Sequence, residues 1–121
     1  MEVTASLNRY RQSPRKVRLV ASALAGKKVD DAMNFLRVTV KRSAAPLEKL
    51  LESAISNAKA HNIEPGSLFV KSITVDEGPT MKRFMPRAFG VAKRINKRTS
   101  HVKLVLASQE VAAPKAAKAK K

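Results

Sequence analysis

Between Glu77 and Glu110 the chain carries Lys82, Arg83, Arg87, Lys93, Arg94, Lys97, Arg98 and Lys103 with no acid among them. Arginine presents a planar fork of donors that matches a phosphate, and lysine presents a mobile point charge. Phe84, Met85 and Phe89 are interleaved with these cations, and such side chains stack on or wedge against unpaired bases. A second cationic block, Arg9, Arg11, Arg15, Lys16, Arg18, Lys27 and Lys28, falls between Glu2 and Asp30. The chemistry available to both blocks is the neutralisation of a polyanion.

Other chemistry is excluded in turn. His61 and His101 are the only histidines and no cysteine accompanies them, so a metal site is not expected. His101 reads as a strand residue contacting backbone or RNA. Gly26-Lys27-Lys28 has neither the spacing nor the preceding strand of a phosphate-binding loop. Glu48 and Glu52 fall on one solvated helix face. No nucleophile, acid–base pair or cofactor motif remains, so the chain is not expected to be an enzyme or to carry a cofactor.

Composition sets the wider bounds. The chain has 121 residues, 25 Lys+Arg against 9 Asp+Glu, and a formal net charge of +16. That excess repels itself in a compact state unless a polyanion neutralises it. Nucleic acid does so best, because neutralised phosphates release condensed counterions. The absence of cysteine rules out a disulfide scaffold. No run approaches the ~18 apolar residues of a membrane span, and Glu2 with its polar neighbours does not open a signal peptide. A soluble intracellular protein without a membrane partner is expected. Asp30, Asp31, Glu48, Glu52, Glu64, Asp76 and Glu77 nearly balance Arg37, Lys41, Arg42, Lys49, Lys59 and Lys71, which leaves a near-neutral centre between the basic blocks.

The elements that position these blocks follow from periodicity. Val3–Tyr10 reads as a strand. Ser13 and Pro14 mark a helix start, Val17, Val20, Ala21 and Leu24 its buried stripe, and Gly26 its end. A shorter helix spans about Asp30–Arg37, with Ala32, Met33 and Leu36 apolar and two acids in its first turn. The third and clearest helix has Ser43 as a cap and one wide face of Leu47, Leu50, Leu51, Ala54, Ile55 and Ala58. From Leu68 the period becomes two, and Leu68–Val75 and Thr99–Leu106 read as strands. Paired antiparallel, they make the intervening basic segment the far part of a hairpin with its turn near Arg87 or Ala88. About 20 residues per arm at ~3.3 Å each give roughly 60 Å, against a radius of gyration of roughly 13 Å for such a globule. The basic end must therefore project. Residues 1–110 are expected to form one domain with the hairpin at about 76–103. The Ala/Lys tail, 111–121, lacks the apolar groups to order itself.

Several short motifs, in order, carry a resemblance. Ser13-Pro14-Arg15-Lys16-Val17-Arg18, Ser53-Ala54-Ile55-Ser56-Asn57-Ala58, Gly78-Pro79-Thr80-Met81-Lys82-Arg83, Pro86-Arg87-Ala88 and Lys97-Arg98-Thr99-Ser100-His101 resemble the bacterial-type large-subunit ribosomal proteins of the L-twenty-two family. Order and spacing hold from about Tyr10 to Leu106. The resemblance implies an α+β fold, a three-stranded antiparallel sheet packed on three helices with a long projecting basic β-hairpin. It implies a structural constituent of the large ribosomal subunit that binds 23S-type rRNA, supports subunit assembly and helps line the nascent-polypeptide exit tunnel. The implied partners are that RNA, neighbouring large-subunit proteins and the nascent polypeptide, and the implied location is the cytoplasmic ribosome, with an organellar one left open.

On this reading the RNA-binding candidates are Arg9, Arg11, Arg15, Lys16, Arg18, Lys82, Arg83, Arg87, Lys93, Arg94, Lys97, Arg98 and His101. The tunnel-proximal tip comprises Met85, Pro86, Arg87, Ala88, Phe89 and Gly90. Phe89 and Val91 depart from the family, which commonly has Arg at both places. There, phosphate contacts are expected to give way to packing of Phe89 and Val91 on bases or on each other. Two competing classes share the charge. A nucleoid-type architectural protein would need a dimer seam or minor-groove wedges, for which the spacing gives no sign. A membrane-active cation would need a wide apolar stripe, and Val91–Ile95 offers none.

Overall fold

The computed structural model describes residues 2–108 of the chain. In order, it contains strand β1 (Glu2–Tyr10), helices α1 (Pro14–Leu24), α2 (Val29–Val38) and α3 (Ala44–Ala60), and strands β2 (Leu68–Glu77), β3 (Met81–Pro86), β4 (Ala92–Lys97) and β5 (Ser100–Ser108). The first sheet is antiparallel with order β1-β5-β2, and β3 and β4 form a separate two-stranded sheet. This is the α+β arrangement expected. The tail, 111–121, lies outside the described residues.

One face of the three-stranded sheet makes the core. Val102, Leu104 and Leu106 of β5 alternate inward beside Val3 and Ala5 of β1 and Val70 and Val75 of β2, as a half-buried sheet requires. α1 packs over β2, α3 over β1 and β5, and α2 against α3. The apolar stripes meet there: Val17, Val20, Ala21 and Leu24 from α1, Ala32 and Leu36 from α2, Leu47, Leu50, Leu51, Ala54 and Ala58 from α3. The opposite sheet face carries exposed Thr4, Ser6, Thr74 and Lys103. Gly26 sits at φ +83, a conformation that only glycine adopts without cost. That turn lets its N–H reach Val70 O and lets Val70 N–H reach Lys27 O, both at 2.8 Å, which covers the free edge of β2.

Two expected caps differ. Ser13 stands at the N-cap of α1 in extended conformation but makes no side-chain cap bond. Ser43 precedes α3 with helical torsions (φ −78, ψ −9) and makes none either. Its hydroxyl is buried and has no partner, because helical torsions at that position turn the oxygen away from the N–H groups it would cap.

The hairpin is also not one continuous ladder. β2 and β5 pair as far as Glu77 and Ser100, and Gly78 N–H continues to Thr99 O at 2.9 Å. Pairing resumes with Met81 opposite Lys97. Pro79 and Thr80 thus oppose Arg98 alone, a bulge where proline has no N–H to give. About ten residues per side lie beyond the sheet, so the projecting arm is on the order of 30 Å. The 60 Å expected from sequence includes strand that belongs to the globule. The pairing also runs past the expected strand ends, to Glu77 and Ser108.

Candidate nucleic-acid interface

The arm's geometry follows from its register. Lys82 faces Asn96, Arg83 faces Ile95, Phe84 faces Arg94 and Met85 faces Lys93. Alternation therefore puts Lys82, Phe84 and Arg94 on one face and Arg83, Met85, Lys93 and Lys97 on the other. Both faces are cationic. Every residue from 82 to 94 is exposed. Among the described residues the ion pairs are Arg37–Glu48, Lys71–Glu2 and Arg98–Glu77. None of them involves Lys82, Arg83, Arg87, Lys93 or Arg94. Among the described residues, no acid pairs with these cations of the arm.

The tip turns one residue later than expected. Arg87 N–H donates to Val91 O at 2.7 Å, and Ala88–Gly90 form a single tight turn between. Phe89 sits at φ 62, and its side chain is as exposed as in an isolated residue (101 %). A bulky residue at positive φ is uncommon. Val91 is half exposed at 50 %, so the two side chains do not bury one another. Of the two alternatives at this departure, packing on each other is absent.

A second basic surface lies at the arm's root. One cleft of about 540 Å³ is lined by Ser13, Pro14, Arg15, Lys16, Arg18, Glu77 and Arg98. A second, also about 540 Å³, is lined by Arg11, Gln12, Ser13, Lys16, Arg42, Asn96, Lys97 and Arg98. They share Ser13, Lys16 and Arg98, so they form one basic trough. Topology explains the convergence. β1 leads directly into α1 and lies beside β5, which follows the arm's return strand β4. Two cationic blocks some eighty residues apart in sequence thus meet. α1 has no acid in its first turn, so the positive end of its dipole adds to the same field. Glu77, the one acid lining the trough among the described residues, is held 3.4 Å from Arg98.

The remaining candidates divide. Arg18 donates from Nε and Nη2 to Val75 O at 3.1 and 2.7 Å, which ties α1 to β2 and occupies part of its fork. Arg9 and His101 come together: the Arg9 N–H, freed from the ladder by a bulge in β1, donates to His101 Nδ1 at 3.0 Å. Neither lines the trough. Arg42 does, although composition places it in the balanced centre. Tyr10 Oη donates to Arg42 O at 3.4 Å and holds the α2–α3 loop beside β1. The Lys41-Arg42 pair was the only sequence signal for it, and that contact is invisible in sequence.

Elsewhere the surface is of mixed charge. A cleft of about 390 Å³ is lined by Asp30, Met33, Arg37, Ile55 and Lys59 among others, and Arg37 pairs with Glu48 at 3.0 Å. Lys71 beside Glu2 holds that carboxyl below its ordinary range, through a hydrogen bond and charge attraction. No group of three His, Asp or Glu side chains suited to a metal ion occurs among the described residues. No helix among them is long and apolar enough to cross a membrane.

Comparison with known proteins decides the family. Residues 5–107 match the family model described as ribosomal protein L22p/L17e. The chain belongs to that family. Three relatives named large ribosomal subunit protein uL22 are similar over nearly their whole length. That of Myxococcus xanthus is 48% identical over 110 residues, covering 88% of this chain and 96% of the relative. That of Mesoplasma florum is 52% identical over 112 residues, covering 92% and 100%. That of Macrococcus caseolyticus is 50% identical over 113 residues, covering 92% and 90%. The chain is accordingly a structural ribosomal protein and not an enzyme.

Proposed function

We propose that this large-subunit protein binds 23S-type ribosomal RNA through the trough and the arm together. The observation that carries the reading is the arm itself, with cations on both faces, no acid and no burial between residues 82 and 94. A polycation with one charged face would lie on a surface. One with two is suited to insertion between RNA segments, where each face meets phosphates. The trough anchors RNA at the root through Arg11, Arg15, Lys16, Arg18, Arg42, Lys97 and Arg98, and Arg9 and His101 flank it.

The tip, Met85 to Gly90, then contributes to the wall of the nascent-polypeptide tunnel. The family resemblance and the full exposure of Phe89 support that placement. Holding remote RNA segments together would make the protein a contributor to subunit assembly. The partners are ribosomal RNA, adjacent large-subunit proteins and the passing nascent chain, in the cytoplasmic ribosome. The whole unit from residue 1 to 110 serves as one RNA-binding domain. An epitope-tagged chain is expected to sediment with large subunits through a sucrose gradient. Recovery only in the light fractions would refute the proposal.

A further inference from the structure

Three consecutive side chains at the start of β5 each reach a different segment. Thr99 Oγ1 donates to Pro79 O, at 2.6 Å, on the outgoing side of the arm. Ser100 Oγ donates to Gln12 O, at 2.5 Å, in the β1–α1 loop. His101 Nδ1 accepts the N–H of Arg9 in β1. Thr99 and Ser100 are buried, 3 % and 0 % exposed, where water does not compete for these bonds. Gly78 lies against the same residues: a methyl there would sit 2.5 Å from Thr99 Oγ1 and 3.2 Å from His101 Cε1 and Nε2.

We infer that Thr99, Ser100, His101 and Gly78 are positioning residues, a clasp that fixes the direction in which the arm leaves the globule. The site needs such a device. A bulge breaks the ladder between the two sheets and bends the strand, and its unpaired residue adds no ladder bond to hold the angle. The Arg98–Glu77 pair cannot supply the rigidity, since both side chains are about half exposed and such pairs contribute little. Thr99 spans the bulge with a buried bond, and its neighbours tie that point to β1 and to the β1–α1 loop, which lines the trough. Arm and trough are thereby held in one orientation before RNA arrives, so less ordering remains to be done on binding. That last step rests on the RNA-binding reading above; the clasp itself does not.

The chain has no cysteine, so nitroxide labels can be placed at Ser56→Cys on α3 and Ala92→Cys on β4, both exposed. Pulsed-dipolar spectroscopy of the free protein is expected to give one narrow distance distribution. Thr99→Val and Gly78→Ala should each broaden it, and Thr99→Ser should keep it narrow. Thr99→Val should also weaken binding to large-subunit RNA roughly three- to tenfold, the order of one net hydrogen bond. The dependence on salt should not change, because no phosphate contact is lost. A broad distribution in the unsubstituted protein overturns the clasp, as does an unbroadened one in both Thr99→Val and Gly78→Ala. Failure of the unsubstituted protein to bind RNA would instead refute the proposed function and leave the distance result standing.

Discussion

Deleting residues 82–94 is expected to remove most of the RNA affinity while the globule still melts cooperatively. The excision takes out five cations, Lys82, Arg83, Arg87, Lys93 and Arg94. Met81 and Lys97 already pair, so Ile95-Asn96, replaced by Asn-Gly, would close them as a two-residue turn. Each neutralised phosphate contributes roughly 0.7 to the slope of log affinity against log salt for single strands and about 0.9 for duplex. Loss of five contacts should flatten that slope by about 3.5 to 4.5, and affinity near physiological salt should fall on the order of a hundredfold or more. Removing Arg83 and Arg87 alone should flatten it by about 1.4 to 1.8. Filter binding over a salt series reads both. The fold should survive because every excised residue is exposed and all core residues lie outside the segment. Loss of cooperative melting would refute this core assignment.

Leu51→Ala should act in the opposite place. Leu51 lies mid-way along α3 at 1 % exposure, against the face that meets β1 and β5. Truncating a buried leucine costs about 2–5 kcal/mol, from lost transfer energy and the cavity left behind. A domain of this size is stable by roughly 5–15 kcal/mol in all, so the change consumes a large share. Tm should fall on the order of 10–20 °C, whereas Glu52→Ala, exposed next door, should shift it little. Differential scanning calorimetry of the pair separates the cavity from a mere loss of side chain. RNA affinity of the folded fraction should be unchanged, since Leu51 lies far in role from both basic surfaces.

Much of this is legible in the sequence. The stripes of α1 and α3 and the alternation of β2 and β5 name most of the core, because burial imposes a period that composition cannot hide. The arm was legible for the converse reason: an acid-free run of cations has nowhere inside a small globule to go. What sequence did not show depends on register between distant strands. The β1 bulge that hands Arg9 N–H to His101 is a pairing across ninety-two positions. The role of Thr99-Ser100-His101 needs three such pairings at once. His101 reads as a strand residue contacting backbone or RNA, and its Nδ1 does take a backbone N–H; that the partner is Arg9 is what the sequence does not show. Arg42 is balanced by acids along the chain, whereas the trough gathers charge through space. Ser43 had the right residue type for a cap and the wrong torsions, which only the loop before α3 decides.

The projecting basic hairpin remains the centre of the account, and a probe at its tip tests it most directly. Ala88→Cys introduces a single thiol into a cysteine-free chain, at an exposed position in the turn. With iron-EDTA tethered there and the protein assembled into large subunits, locally generated hydroxyl radicals should cleave large-subunit ribosomal RNA at discrete positions. Incorporation into the subunit without any RNA cleavage from Ala88 would contradict an arm inserted among RNA segments.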